Sequence, residues 1–388
     1  MLISSVICPL HEKVCQRRGN MEEQAYMRLW RRVISNYSFR GALSAIFFAS
    51  ASSLYAAPAI ALRSPWDGKP VAPTQAAYAC PAIAHIAPDL VTDGFYRLDD
   101  PTHSIIDPVR QEAYKKSSDG VKAVGMSVVK AADDYRTTGS RKAAQCAMGQ
   151  IVTLAQEHSL AGKMSSNQAS YVQGWVVGAV AIAYLKIRET GLATPEQTKT
   201  VADWMQSVGE QTIGYYDGHK RAGHGDSQNN HLYWAGVELA AIGVAANNHK
   251  DFDWAMATYD NGVNQIQEDG ALPLEMARGG RALHYHLYAL APLVLLAEFG
   301  EANQIDLYAH ANGAIHRLVN FSVAGLQDPA PFVKATGVQQ EVPKVITGDQ
   351  IGWAPPYVQR FPNAALERMV QAAPSLSVYY LGGLPPGK

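Results

Sequence analysis

The chain has 388 residues, 47% of them hydrophobic and 17% charged, with 33 Lys+Arg against 34 Asp+Glu. Such a composition supports a large buried core and excludes a disordered or fibrous chain. It carries no basic excess, so a nucleic-acid partner, whose usual footprint is a basic face, is not expected.

In chain order, Arg28, Arg31, Arg32 and Arg40 precede the apolar, small-residue stretch GALSAIFFASASSLYAA, and Ala59-Ile60-Ala61 follows as an A-x-A cleavage candidate. This is the layout of a secretory signal, so residues 1–61 are read as a signal region directing the chain to the periplasm. The pattern sits far from Met1; Met21 or Met27 is an alternative start, which makes residues 1–26 an upstream mis-start. An anchoring N-terminal helix is the competing reading. No other segment has about 18 uninterrupted apolar residues, so no membrane association is expected after cleavage. Beyond residue 61 the chain holds 26 Lys+Arg and 31 Asp+Glu, formally −5. An anionic ligand must then be met by a local cluster of cations.

Export also changes how the cysteines read. Cys8 and Cys15 fall in the segment to be lost, leaving Cys80 and Cys146 in an oxidising compartment, where a disulfide between them is expected. Two separate thiols are the alternative, because Cys146 lies on an apolar helical pattern where a thiol packs well.

After the Pro-rich PWDGKPVAPTQ (65–75), residues 92–110, TDGFYRLDDPTHSIIDPVR, combine charge, turn residues and two prolines. They read as a loop, either a lid or an ordinary surface connection. Apolar residues at three- and four-residue steps then predict helices over 118–135, 141–159, 167–190, 195–214, 230–246, 252–266, 281–299, 303–321 and 363–373. Short connectors such as ETGLATPEQ and EFGEANQ imply antiparallel hairpins. Strand-like alternation is nearly absent and no fixed-length repeat occurs. The expected fold is therefore all-α, a single α/α toroid over 62–388 rather than an open solenoid, with ligands gathered at a concave end built from loops and helix termini.

Two stretches carry more polar chemistry than such helices need. SQNNHLYWAG (227–236) opens an apolar helix with amides and an imidazole; capping accounts for one asparagine only. DGALPLEMARGGRALHYHLY (269–288) packs Arg278, Arg281, His284, Tyr285, His286 and Tyr288 around a Gly279-Gly280 break. Arg281, Tyr285 and Tyr288 are spaced to share a helix face. Arginine forks onto a carboxylate, asparagine donates to the same group, tyrosine and histidine move protons. β-Elimination from a uronic acid needs this set: the C5 proton becomes removable once the adjacent carboxylate is neutralised, and the C4 oxygen leaves with a proton.

Other readings stay open on the residues alone. A glycosidase needs two carboxylates, and Asp226, Glu238, Asp269 and Glu275 are available without any being set apart. No G-x-S-x-G elbow occurs. A metal site from His231, His284 and His286 lacks an H-E-x-x-H motif, and alternate spacing on a helix splays side chains apart. Taken singly, Asn230 reads as a cap, His231 as a core histidine, Trp175 and Trp234 as core, Tyr285 and Tyr288 as rim aromatics, and Arg278 as a salt-bridge partner. A non-catalytic polysaccharide-binding protein accounts for those bland roles.

NNHLYW at 229–234, followed 54 residues after His231 by Tyr285 within DGALPLEMARGGRALHYH, resembles the alginate lyases of polysaccharide lyase family 5, the periplasmic mannuronate-specific type. The likeness runs over roughly 75–375, including the helix around Tyr184 and WAPPYVQRFP at 353–362. It implies an α/α toroid that acts on an anionic polysaccharide as a monomer, without metal or other cofactor. It also implies that Asn230 and His231 contact or neutralise the uronate carboxylate, with His231 a candidate base. Arg278 would hold that carboxylate and depress the pKa of Tyr285, the catalytic tyrosine that protonates O4. Gln173, Trp175 and Tyr288 fall on groove positions; Trp234 and His284, inside the two motifs, join them as substrate contacts. The family's Lys-Tyr lid is replaced by GFYRLDDPTHSIID, where Tyr96 is the lid aromatic and Arg97 stands in for the lysine. This departure leaves a broader polyuronate lyase, acting on glucuronate- or hyaluronate-type chains, as the nearest alternative.

Overall fold

A computed structural model describes residues 60–387. The expected signal region, apart from Ile60 and Ala61, lies outside the described residues, and Ile60–Lys388 forms one compact unit.

Two concentric layers of helices follow from two kinds of helix sequence. Helices α3 (Asn167–Ile187), α5 (Asn230–Ala246) and α8 (Ala282–Ala302) are apolar nearly all round and nearly wholly buried. With α1 (Pro108–Thr138) they make the inner ring, in the contact order α1, α3, α5, α8. Helices α2 (Arg141–Gln156), α4 (Pro195–Ala222), α6 (His249–Val263) and α9 (His310–Gln327) bury one face and expose the other. Each packs outside its inner neighbour, as an amphipathic stripe requires. By length and composition α3 and α8 could each cross a membrane, but both are enclosed by the fold and serve as its core. Four short helices, α7 (Pro273–Met276), α10 (Ala330–Thr336), α11 (Gly348–Ile351) and α12 (Ala354–Arg360), and then α13 (Ala364–Ala372), complete the described chain. The arrangement is an α/α toroid, and β pairing among the described residues is limited to isolated bridges.

Helix boundaries are set by local chemistry. Asp107 caps α1 by accepting from the Val109 and Arg110 amides, with Pro108 at the first helical position; Gly139, left-handed at φ 71°, ends it. The helix thus begins ten residues before the periodic stretch, because its first turns are polar on every side. Thr194 and Gln197 form a capping box at the start of α4. The expected 303–321 helix is interrupted: Ala311, Asn312 and Gly313 are left-handed inside α9, and regular helix runs on from there to Gln327.

The N-terminal arm is fastened to the outer ring. Thr74 bridges Ser140 and Leu90 bridges Met164. The exposed Cys80 is disulfide-bonded to the buried Cys146 of α2 at a Cα–Cα distance of 5.5 Å. At the other end of the chain a strap over residues 377–384 lies against α1, α3 and α8. The buried Lys186 Nζ donates to Asp133 Oδ1 (2.5 Å), to the Gly382 carbonyl (2.5 Å) and to the Leu384 carbonyl (2.9 Å), while Asp133 Oδ2 accepts from the Leu384 amide (2.8 Å). The strap fits because Gly382 and Gly383 are left-handed and close-packed: a Cβ on Gly382 would meet Ile182 at 2.2 Å, and one on Gly383 would meet Asp133 at 2.1 Å.

One buried carboxyl joins three of these helices. Glu238 of α5 is 1% exposed and accepts from Thr212 Oγ1 of α4, facing α3 where a Cβ on Gly174 would stand 2.7 Å from its Oε2. Burial pushes its pKa from 4.5 up to about 8, against the pull of Thr212. A folded-state pKa above the unfolded value gives stability that is complete below pH 4.5 and is lost as pH rises through 8. Glu238→Gln removes this dependence. Between pH 5 and pH 9 the wild-type Tm is expected to fall relative to the variant by on the order of 2–4 °C; parallel melting curves would refute a protonated Glu238.

Candidate active site

Antiparallel hairpins place the N-termini of the inner helices at one end of the ring, and both polar motifs sit there. Asn230 and His231 open α5, with Asn229 as the cap that accepts from the His231 amide. Arg278 follows α7, a short helix begun by Pro273, and the left-handed Gly279 turns the chain into Arg281 and α8. Tyr285 then lies in the first turn of α8.

The loop before α1 closes over this end. Tyr96 and Ile106 form an antiparallel bridge, tied by Arg97 N to Ile105 O and Asp107 N to Phe95 O, each 3.0 Å. Asp100 knots the tip by accepting from the amides of Thr102, Ser104 and Ile105 and from Thr102 Oγ1. Burial works against its charge, but these donors outweigh it and hold the carboxyl well below the usual range.

Loop and helices meet at a tyrosine pair. The hydroxyls of Tyr96 and Tyr285 are 2.5 Å apart, and Arg281 Nη1 donates to the Tyr96 hydroxyl at 2.5 Å. The Arg278 guanidinium lies over the Tyr285 ring, 3.4 Å from its centroid. It donates through Nε to Thr102 O at 2.8 Å and through Nη2 to His103 O. Its charge also acts on His231. Asn230, His231, Arg278 and Tyr285 are thus brought into one cluster, with Glu275 as the link: the Glu275 carboxyl lies within the charge of Arg278 and accepts from Asn230 N (2.8 Å) and from Asn230 Nδ2 (3.0 and 2.9 Å).

Electrostatics set the protonation states. Burial, helped by Arg278, lowers the His231 pKa to about 3, so the imidazole is neutral near pH 7 and able to accept a proton. Its Nδ1 is buried without a partner, and the ring stacks on Tyr171 at 3.9 Å. Tyr171 and Tyr215 both donate to Asp226 at 2.7 Å, and His219 Nδ1 lies 2.9 Å from the same carboxylate. For Tyr285 burial raises the pKa; Arg278 and Arg281 pull it down while Tyr96 pushes it up, and the outcome is a rise. Arg278 pulls this pKa down, but burial exceeds that pull, so Tyr285 rests as a phenol.

Three further corrections concern expected contacts. Asn230 is fully buried, its amide nitrogen is held by Glu275, and the partnerless atom is Oδ1, an acceptor. Donation to a substrate carboxylate requires the amide turned over and Glu275 protonated to donate to the amide oxygen; burial raises the Glu275 pKa in that direction, against its hydrogen bonds from Asn230 and the charge of Arg278. Arg97 is not directed at the pocket. Adjacent residues of an extended segment point to opposite faces, so with Tyr96 turned inward Arg97 is exposed and pairs with Asp99 at 2.6 Å. Arg281 takes the place expected of Arg97; in the sequence it was visible only as the residue four before Tyr285. Gln173 borders a cavity with Gln211, Tyr215 and Tyr216, but its amide hydrogens are already donated, to Leu160 O (2.7 Å) and to Gln211 (3.0 Å).

The remaining aromatics form a connected wall. Tyr288 packs on Trp234 at 4.9 Å and on Tyr285 edge-on, His284 stacks on Tyr288 at 6.0 Å, and Trp175 meets Tyr171 at 6.2 Å. Burial, with the charges of Arg281 and Arg278, holds His284 neutral at about 3. His286 is a core residue: Nε2 accepts from Leu272 N and Nδ1 donates to Ala282 O, so neither nitrogen is free for a metal. The carboxylates available to a glycosidase are likewise engaged, Asp226 by two tyrosines and a histidine, Glu238 by Thr212, Glu275 by Asn230 and Asp269 by the Ala271 amide.

Comparison with known proteins agrees with this geometry. A family model described as alginate lyase matches residues 94–332. A polysaccharide lyase of Stenotrophomonas maltophilia is 35% identical over 79% of this chain and 89% of its own length. An alginate lyase of Pseudomonas syringae is 30% identical over 72% of this chain and 74% of its own. Among solved structures, alginate lyase A1-III from Sphingomonas species A1 superposes with a TM-score of 0.65 at 24% identity, covering 80% of this chain and 86% of that one. A histidine-to-alanine variant of A1-III in complex with a tetrasaccharide gives 0.67 at the same identity and coverage. These two likenesses concern the fold.

The loop is held shut by two arginines, and their contributions separate. Arg281→Met removes the donor to Tyr96 and leaves Arg278 in place. Loss of one charge-assisted hydrogen bond, about 1.5 kcal/mol or more, is expected to speed hydrogen exchange at the Arg97 and Asp107 amides about tenfold. Unchanged exchange there would show that Arg281 does not hold the loop.

Proposed function

The chain belongs to the alginate lyase family, and on that footing we propose that it cleaves alginate, with poly-β-D-mannuronate as the preferred polymer, by β-elimination. The product carries a 4,5-unsaturated uronate at its new non-reducing end. One observation carries the reading: a single guanidinium, Arg278, lies against Tyr285 and within electrostatic reach of the neutral His231. A cation set between two proton carriers is what removal of a proton α to a carboxylate demands.

In this mechanism the substrate carboxylate replaces the loop carbonyls as the acceptor for Arg278, with the turned Asn230 amide as second donor. Neutralising that charge acidifies the C5 hydrogen. In β-mannuronate the C5 hydrogen and O4 lie on the same ring face, so Tyr285 takes the proton and returns it to O4 as the C4–O bond breaks. Arg281 only donates, so the Tyr96 oxygen accepts from it and is free to donate its own proton towards Tyr285. Arg278 and Arg281 pull Tyr285 towards the phenolate when the base is needed, while burial and Tyr96 favour the phenol when the acid is needed. For uronates with the opposite C5 configuration the proton is reached from the other face, by His231. The half-buried Trp175, His284 and Tyr288, backed by the buried Trp234, offer flat surfaces to the pyranose rings.

Secretion to the periplasm is part of the proposal. It is supported by the N-terminal charge and hydropathy pattern and by the Cys80–Cys146 disulfide, which persists in an oxidising compartment. A broader polyuronate range is the second reading, and it rests on the loop, which directs Tyr96 but not Arg97 at the pocket.

Alkene absorbance near 235 nm on mannuronan tests the reaction. Tyr285→Phe is expected to lower kcat by about 10²–10⁴-fold with polymer binding retained; full turnover by that variant would remove Tyr285 from the chemistry. His231→Ala should slow elimination from guluronate-rich chains at least tenfold more than from mannuronan, an order-of-magnitude expectation for one acid–base group. Equal losses on the two polymers would refute the division of labour between the faces.

A further inference from the structure

The C-terminal strap does more than fill the ring. Tyr379 and Tyr380 form its single helical turn, Tyr379–Leu381. Tyr379 points into the body of the fold, where Gly125 of α1 makes room for its hydroxyl: a Cβ there would stand 2.3 Å from it. Tyr380 packs beside it, ring centroids 4.9 Å apart, and is half-buried, its ring 5.2 Å from Trp175 and 6.2 Å from Trp234. It joins the two halves of the aromatic wall. On one side Trp175 leads through Tyr171 to His231; on the other Trp234 leads through Tyr288 to Tyr285.

This placement is built. Lys186 and Asp133, both buried, anchor the strap through the Gly382 and Leu384 carbonyls and the Leu384 amide, two and four residues after Tyr380. Left-handed Gly382 and Gly383 let the strap press on Ile182 and Asp133. An isolated surface tyrosine would have no such support. Residue 380 also lies outside the 94–332 segment shared with the alginate lyase family model, so the family pattern does not draw attention to it.

The geometry points to Tyr380 as a substrate-contacting residue of the polysaccharide groove, its ring stacking on a pyranose beside the half-buried Trp175 and in front of the buried Trp234, and so setting affinity for the chain rather than the rate of proton transfer. This rests on the lyase reading of the same pocket. The strap over 377–384 carries no charged side chain, and Tyr380 reaches Tyr285 through two intervening rings, Trp234 and Tyr288. Removing the ring therefore weakens binding and leaves the chemical step alone.

Full-length wild type and Tyr380→Phe, Tyr380→Leu and Tyr380→Met variants are compared on mannuronate tetramer. Alkene formation gives kcat and KM, and Kd comes from tryptophan fluorescence in a Tyr285→Phe background, where Trp175 and Trp234 report from beside the substituted ring. Tyr380→Phe is expected to bind as wild type, and Leu or Met to raise Kd and KM roughly three- to tenfold with kcat within about twofold. If Leu does not fold, Met supplies the ringless comparison. Equal Kd for Phe and a folded ringless variant overturns the proposal while leaving the lyase reading intact. A wild type that yields no alkene from any uronate polymer overturns both.

Discussion

The site depends on where one guanidinium is held. Arg278 rests on the face of Tyr285, donates to two carbonyls of the loop over residues 95–107, and projects its charge onto His231. Loop, tyrosine and histidine come from three separate parts of the chain, and this side chain is common to them. Without its charge the buried tyrosine would lose the larger of the two pulls against its raised pKa and keep only that of Arg281. The same group is already satisfied before any ligand arrives, so the pocket does not harbour a bare buried cation, which would be costly.

The fold makes that convergence possible by alternating direction. Each outer helix carries the chain back, so the inner helices begin at one end of the ring. A helix start presents unpaired amide hydrogens and the positive end of the backbone dipole. At these starts the first amides are already taken by Asp107, Ser166, Asn229, Glu275 and Gln340, so an anion at this mouth would be met by Arg278 and Arg281, in a chain whose overall charge beyond residue 61 is negative. The local field, and not the net charge, governs which polymer is admitted.

Much of this could be read from the sequence, for reasons that differ from element to element. The inner helices are legible because enclosure on all sides demands continuous apolar residues, and the outer ones because a half-exposed helix repeats every three to four residues. The start of α1 was hidden by its polar first turns, although Asp107-Pro108 marked it. Seven-residue helices such as Ala330–Thr336 and Ala354–Arg360 are too short for a period to show. In the pocket, Asn230, His231, Arg278 and Tyr285 stood out because amides, imidazole, guanidinium and phenol are costly next to apolar runs unless they line a cleft. Glu275 did not stand out: its importance comes from a hydrogen bond to a residue 45 positions away. Arg97 was misassigned and Arg281 passed over because which side of the loop faces inward is decided by pairing between Tyr96 and Ile106. Tyr380 was invisible for the same reason on a larger scale, since it reaches the wall only by threading the strap between α1, α3 and α8.

The disulfide has a mechanical meaning that its stabilising role does not express. Cys80 roots the arm in α2, and Leu90 is paired to Met164 a few residues before the loop begins. At the far side Asp107 is locked into the cap of α1. The loop is thus tied at both ends, and a chain fixed at two posts has one register: Tyr96 is presented at a set position along it, without room to slide.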